Sequence, residues 1–193
     1  LSALLLASPS FPSGIEARVL GRPVSRGYSE LTIQICEMCG WSQENTDRIM
    51  LEPWEVRTPE RAFIPGELSL LPLSILFDTL HGTKTQASIT RAGFPRVVEA
   101  IDAVRKSRGG PVSLRDASDI ITPAAFLMAL GSGGEISDVA HSRGKESDRI
   151  SNTVRLMEAF GIESTEFGDG IAISGGQKII KPKQPVITGR DHR

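Results

Sequence analysis

Three stretches of the chain repeat apolar residues at helical spacing and then reach a glycine. Residues 29–39 carry Leu31, Ile33, Ile35 and Cys39 before Gly40. Residues 95–107 carry Val97, Val98, Ile101 and Val104 before Gly109, and residues 148–160 carry Ile150, Val154, Met157 and Phe160 before Gly161. Each pattern predicts an amphipathic helix, with the glycine as a left-handed C-terminal cap. Shorter apolar runs predict further helices at 1–7, 70–80 and 123–130. Two alternating runs around Gly-Asp-Gly, within residues 162–176, predict a β-hairpin, and residues 48–53 read as another strand. The expected fold class is therefore mixed α/β. At 62–68, Pro65 and Gly66 stand between a strand-like run and an apolar helix, which marks a boundary between residues 1–64 and 65–193.

Charge narrows the partners. A net charge of -1 gives no overall field that would gather nucleic acid or an anionic membrane, so anion chemistry must come from local Arg and Lys clusters. Cys36 and Cys39 form a lone C-x-x-C inside a predicted helix, without the second ligand pair that zinc would need, and read as two small buried thiols. They imply no oxidising compartment, and a cytoplasmic location is expected. The opening segment, LSALLLASPSFPSG, has the apolar character of a signal-peptide core but no initiating Met or basic leader, and it is too short to cross a membrane. It reads as a truncated buried helix, and the polar GRDHR end is equally abrupt.

The densest charge lies in DVAHSRGKESDRI, where His141, Arg143, Lys145, Glu146, Asp148 and Arg149 crowd the predicted start of the third helix. Unpaired N–H groups and the positive dipole end favour anions there, with Ser147 or Asp148 as cap. Glu146 and Arg149, three apart, would share a helix face. From these residues alone, a solvated helix terminus with ordinary ion pairs accounts for the stretch. A second short cluster, Arg190, Asp191, His192 and Arg193, reads by default as a loop.

The order of motifs changes that weighing. KESDRI at 145–150, TEFGDGIAISGG at 165–176 and DHR at 191–193 resemble, in order and approximate spacing, the C-terminal half of the 5-enolpyruvylshikimate-3-phosphate synthase family. SALLLASP, the Ser-x-x-Tyr of Ser25 and Tyr28, and IPGELS resemble its earlier segments, so the likeness runs over essentially the whole chain. It implies an inside-out α/β barrel of repeated βαβαββ units in two domains. Residues 1–64 would be the last unit of the first domain and 65–193 most of the second. It further implies transfer of the enolpyruvyl group of phosphoenolpyruvate to the 5-hydroxyl of shikimate 3-phosphate, with release of phosphate, by a monomer that uses no metal or organic cofactor.

By matching positions, the resemblance gives Arg149, His192 and Arg193 to phosphoenolpyruvate, with the two arginines on its carboxylate. Glu146 would move a proton at the methylene carbon. Lys145 and Asp119 would hold the shikimate hydroxyls, Asp119 as base. Ser25, Tyr28 and His141 would complete the shikimate 3-phosphate contacts. The chain departs from the family pattern at Ser118-Asp119, where Pro-Asp is usual and Asp116 competes. It departs again in a slightly short interval from Asp119 to Lys145, at Glu67 for an aspartate, and at His141 for an asparagine. The likeness places further phosphate-gripping lysines and arginines before Leu1 and another lysine after Arg193, so the 193 residues alone are expected to be inactive. The sister transferase acting on UDP-N-acetylglucosamine shares the implied fold, but Lys-Glu-Ser-Asp-Arg favours shikimate. A non-catalytic remnant is the reading from another class.

Overall fold

The computed structural model describes residues 1–42, 49–64, 66–85 and 94–185. The chain forms two compact units, Leu1–Pro65 and Gly66–Arg193. The first holds α1 (Ser2–Ala7), β1 (Ile15–Ala17), α2 (Arg26–Met38) and β2 (Ile49–Leu51), with β1 and β2 antiparallel. Its small core gathers Leu5, Cys36, Trp41 and Leu51. The expected apolar face of α2 is thereby corrected. Cys36 is the residue fully inside, Ile35 is about half exposed, and Cys39 is only partly covered. Burial, followed by the neighbouring Cys39, pushes the Cys36 thiol above its ordinary pKa.

The second unit contains α3 (Leu71–His81), α4 (Pro95–Lys106), β3 (Pro111–Ser113), α5 (Ile121–Leu130), β4 (Gly134–Ser137), α6 (Arg149–Ala159), β5 (Ser164–Phe167) and β6 (Gly170–Ile173). Its sheet runs β3-β4-β6-β5, with β3 and β4 parallel and the other pairs antiparallel. From β3 onward the chain thus reads β-α-β-α-β-β. The predicted hairpin is β5–β6, paired from Ser164 opposite Ile173 to Phe167 opposite Gly170.

Helix α5, ITPAAFLMAL, contains no charged residue, and seven of its ten side chains are buried. An all-round apolar helix can be enclosed on every side, whereas α4 and α6 bury one stripe each. That stripe is Ala100, Ile101 and Val104 on α4, and Ile150, Thr153 and Met157 on α6. The fully buried Thr153 shares a 2.7 Å hydroxyl hydrogen bond with Thr122 of α5, which satisfies the one polar group that the α5–α6 contact encloses there.

Three local expectations are corrected. Helix α4 closes at Ser107 in extended backbone, so Gly109 is no helix cap but a left-handed step into β3. Helix α5 starts two residues before Pro123, because a first-turn proline forfeits only an N–H that has no helical partner. The run before Pro65 forms no strand.

Candidate functional site

The loops that leave the carboxyl ends of the parallel strands β3 and β4 carry the predicted chemistry. After β3, a single 3-10 turn, Ser118–Ile120, presents Asp119 just ahead of α5. After β4, a second 3-10 turn, Ala140–Gly144, leads through Lys145, whose backbone is extended, to Asp148. The Asp148 carboxylate accepts from the N–H groups of Ile150 and Ser151, both at 3.0 Å, and so starts α6 at Arg149. The charged stretch is therefore a loop that ends at a helix start, and Glu146 lies outside the helix on which it was expected. Burial would raise the Asp148 pKa. The N–H of Ser151, the Arg143 guanidinium and the Ser151 hydroxyl more than offset that and hold it low.

Four of the predicted residues converge. Lys145 Nζ donates to Ser118 Oγ at 3.1 Å and lies 3.4 Å from Asp119 Oδ1. Arg149 Nη1 donates to the same Asp119 oxygen in a short contact, while its Nη2 is 3.4 Å from Glu146 Oε2. The Arg149 side chain is only 12% exposed, and its Nε is buried with no hydrogen-bond partner among the described residues. An enclosed guanidinium holding an unmade hydrogen bond is costly as structure alone and is the kind of group that functional sites retain. Asp116, the competing aspartate, instead lies 3.8 Å from Arg96 of α4.

His141 sits partly buried in the turn between these groups and the hairpin, and its Nε2 is buried without a partner among the described residues. Burial first, then the charges of Lys145 and Arg115, lower its pKa against the opposing pull of Asp169 and Asp119. It is therefore neutral at pH 7.

Ser25 and Tyr28 belong to the first unit, at the start of α2. Ser25 has a left-handed backbone (φ 53°), its carbonyl accepts from the Tyr28 N–H at 3.1 Å, and the Tyr28 side chain is half exposed. A non-glycine residue in that region is uncommon and is found at functional sites more often than elsewhere. His192 and Arg193 lie outside the described residues.

Sequence reasoning passed over Arg115, Asp138, Arg143 and Asp169 as site residues, although all four brace the same loops. Arg115 and Ser113 bond the Asp138 carboxylate at 3.0 and 2.6 Å. Asp138 has a left-handed φ of 62°, a signal visible only once the backbone is folded. The Gly-Asp-Gly turn was the one clue in the sequence to Asp169.

A groove of about 1130 Å³ opens at the other end of the sheet, lined by Glu135, Glu158 and Glu163 among small residues, with no cation. None of the predicted site residues lines it. Three carboxylates without a cation would repel an anionic ligand there. Among the described residues, no three His, Cys, Asp or Glu side chains gather as a metal site would require, and no helix is long and apolar enough to cross a membrane.

Comparison with known proteins adds family to this geometry. The family model for EPSP synthase (3-phosphoshikimate 1-carboxyvinyltransferase) matches residues 78–193. The 3-phosphoshikimate 1-carboxyvinyltransferase of Korarchaeum cryptofilum is 31% identical over 91% of this chain and 46% of its own length. That of Methanothermobacter thermautotrophicus is 30% identical over 91% of this chain and 47% of its own. The solved EPSP synthase of Acinetobacter baumannii superposes on 90% of this chain and 45% of its own with a TM-score of 0.64 at 17% identity, a likeness of fold. The chain spans about half the length of these relatives.

Proposed function

Because the chain belongs to the EPSP synthase family, we propose that the Asp119–Lys145–Glu146–Arg149 cluster is part of a site that transfers the enolpyruvyl group of phosphoenolpyruvate to the 5-hydroxyl of shikimate 3-phosphate. The observation that carries the reading is the meeting of Lys145 and Arg149 on one aspartate oxygen. Two cations of one loop-to-helix segment, Lys145 and Arg149, converging on a carboxylate from the other loop beside a second acid, suit a reaction whose substrates bring phosphates and a carboxylate.

In this reading Arg149, joined by Arg193, takes the phosphoenolpyruvate carboxylate, for which a planar fork of N–H donors is suited. His192 lies beside the same substrate. Lys145 and His141 hold shikimate 3-phosphate, and the matching positions give Ser25 and Tyr28 to the same substrate. Asp119 receives the proton of the attacking hydroxyl. Glu146 delivers a proton to the methylene carbon as the tetrahedral adduct forms and takes it back as phosphate leaves. Neutral His141 can donate one hydrogen bond and accept another, as the asparagine usual at its position does with its amide. The β-α-β-α-β-β order of the second unit supports one repeat of an inside-out barrel with its helices enclosed, and the acceptor is shikimate 3-phosphate in a pathway to aromatic amino acids.

Since the chain spans about half of its relatives, the direct test is binding. Calorimetric titration with phosphoenolpyruvate should give saturable binding that weakens about 10- to 100-fold in Arg149→Ala, the worth of a charge-assisted bond or two. A folded chain that binds neither phosphoenolpyruvate nor shikimate 3-phosphate would sink the reading.

A further inference from the structure

We infer that the tip of the β5–β6 hairpin, residues 167–170, is the positioning element of the cationic loop and acts through Asp169 and Arg143, two side chains outside the Asp119–Lys145–Arg149 cluster. Three successive backbone N–H groups of the loop end on Asp169. Those of Asp138 and Ala140 donate to its two carboxylate oxygens at 3.1 and 2.8 Å, and that of Val139 donates to its carbonyl at 3.0 Å. Three residues beyond Ala140, Arg143 spends its guanidinium on the same tip. Its Nη2 donates to the Phe167 carbonyl at 2.6 Å and its Nε to the Gly168 carbonyl at 3.2 Å.

The remaining nitrogen, Arg143 Nη1, donates to Asp148 Oδ2 at 2.8 Å and to Ser151 Oγ at 3.3 Å, so the fork also reaches the cap of α6. His141, Lys145 and Glu146 are thus strung between two anchors. An ordinary surface loop has no need of a carboxylate aligned with consecutive N–H groups or a guanidinium divided among four acceptors. Such bracing suits a segment whose side chains must keep fixed positions, because small displacements of a binding group cost large factors. The binding consequence rests on the proposed function, whereas the positioning itself does not.

His141 reports on the loop without any ligand. The charged groups acting on it are Lys145, Arg115, Asp169 and Asp119. If Asp169 were merely a nearby charge, Asp169→Asn would remove an influence that raises the His141 pKa, and the value would fall further. If Asp169 positions the loop, release relaxes the burial and the Lys145 and Arg115 charges together, and the pKa climbs toward the ordinary value of about 6.5. The experiment is an NMR titration of the imidazole signals of the chain's three histidines, assigned with a His141→Gln control, in wild type, Asp169→Asn and Arg143→Gln.

We expect the His141 pKa to rise in both variants, and phosphoenolpyruvate affinity to fall about tenfold or more while the sheet stays folded. A purely structural role would lower the melting temperature without moving the His141 value. A His141 pKa that stays put or falls in both overturns the inference. If one variant does not fold, the other is read alone. A rise in the variants of a chain that binds no phosphoenolpyruvate keeps the inference and removes the proposed function instead.

Discussion

Where β3 and β4 finish, the second unit is held by charged side chains reaching across loops. Where the same strands begin, it is held by backbone packed on backbone. At the first end Asp138, Asp148, Asp169, Arg115 and Arg143 bond one another and the chain around the Lys145–Arg149 cluster. At the second end, Gly133 adopts φ 73°, and a Cβ there would stand 2.5 Å from the Gly175 nitrogen and the Ile173 carbonyl. Side-chain bracing can hold a group in place and still exchange partners when a ligand arrives. Main-chain contact of this kind leaves nothing to exchange, which suits a scaffold.

The largest effect should come from breaking the backbone end. Gly133→Ala combines left-handed strain with a clash that no side chain can relieve, and should cost about 3 kcal/mol or more in chemical denaturation. At the charged end, Asp148→Ala removes a cap that serves two N–H groups and should cost about 1–2 kcal/mol. Arg149→Ala should change stability least of these, yet it should weaken phosphoenolpyruvate binding about 10- to 100-fold, and Arg149→Lys should recover only part of that because its single ammonium lacks the fork. A Gly133→Ala protein that kept its stability, or an Arg149→Ala protein that lost most of it, would reverse the comparison.

Acid should act on the charged end more gently. His141 resists protonation in the folded chain, so its contribution to stability is complete above its unfolded pKa of about 6.5 and falls away as pH drops below that value. The Asp148 contribution persists to lower pH and is lost only as pH falls through its depressed folded value. Denaturation of wild type and His141→Gln between pH 7.5 and 5 should therefore show a shallower loss in the variant. Parallel curves would remove His141 from the account.

The apolar repeats around Ile101 and Met157 were readable because one stripe of each helix faces the core. The β5–β6 hairpin was readable from alternation around Gly-Asp-Gly. Strands β3 and β4 were not, since Pro111–Ser113 and Gly134–Ser137 each bury a single residue, Val112 and Ile136, and no hairpin turn joins two alternating runs to mark them. The cluster was legible only through its likeness to a family. Nothing local in Asp119 says that Arg149, thirty residues on, will reach it. The bracing by Asp169 and Arg143 was illegible for the same reason, as their partners lie 24 to 31 residues away.

The most direct test of the division between the two ends is an amide NMR titration of the chain with phosphoenolpyruvate. Saturable shifts are expected at residues 118–119 and 141–149, with residues 131–135 and 173–175 unmoved. Shifts centred on the groove beside Glu135 and Glu163, with the Lys145–Arg149 loop silent, would contradict it.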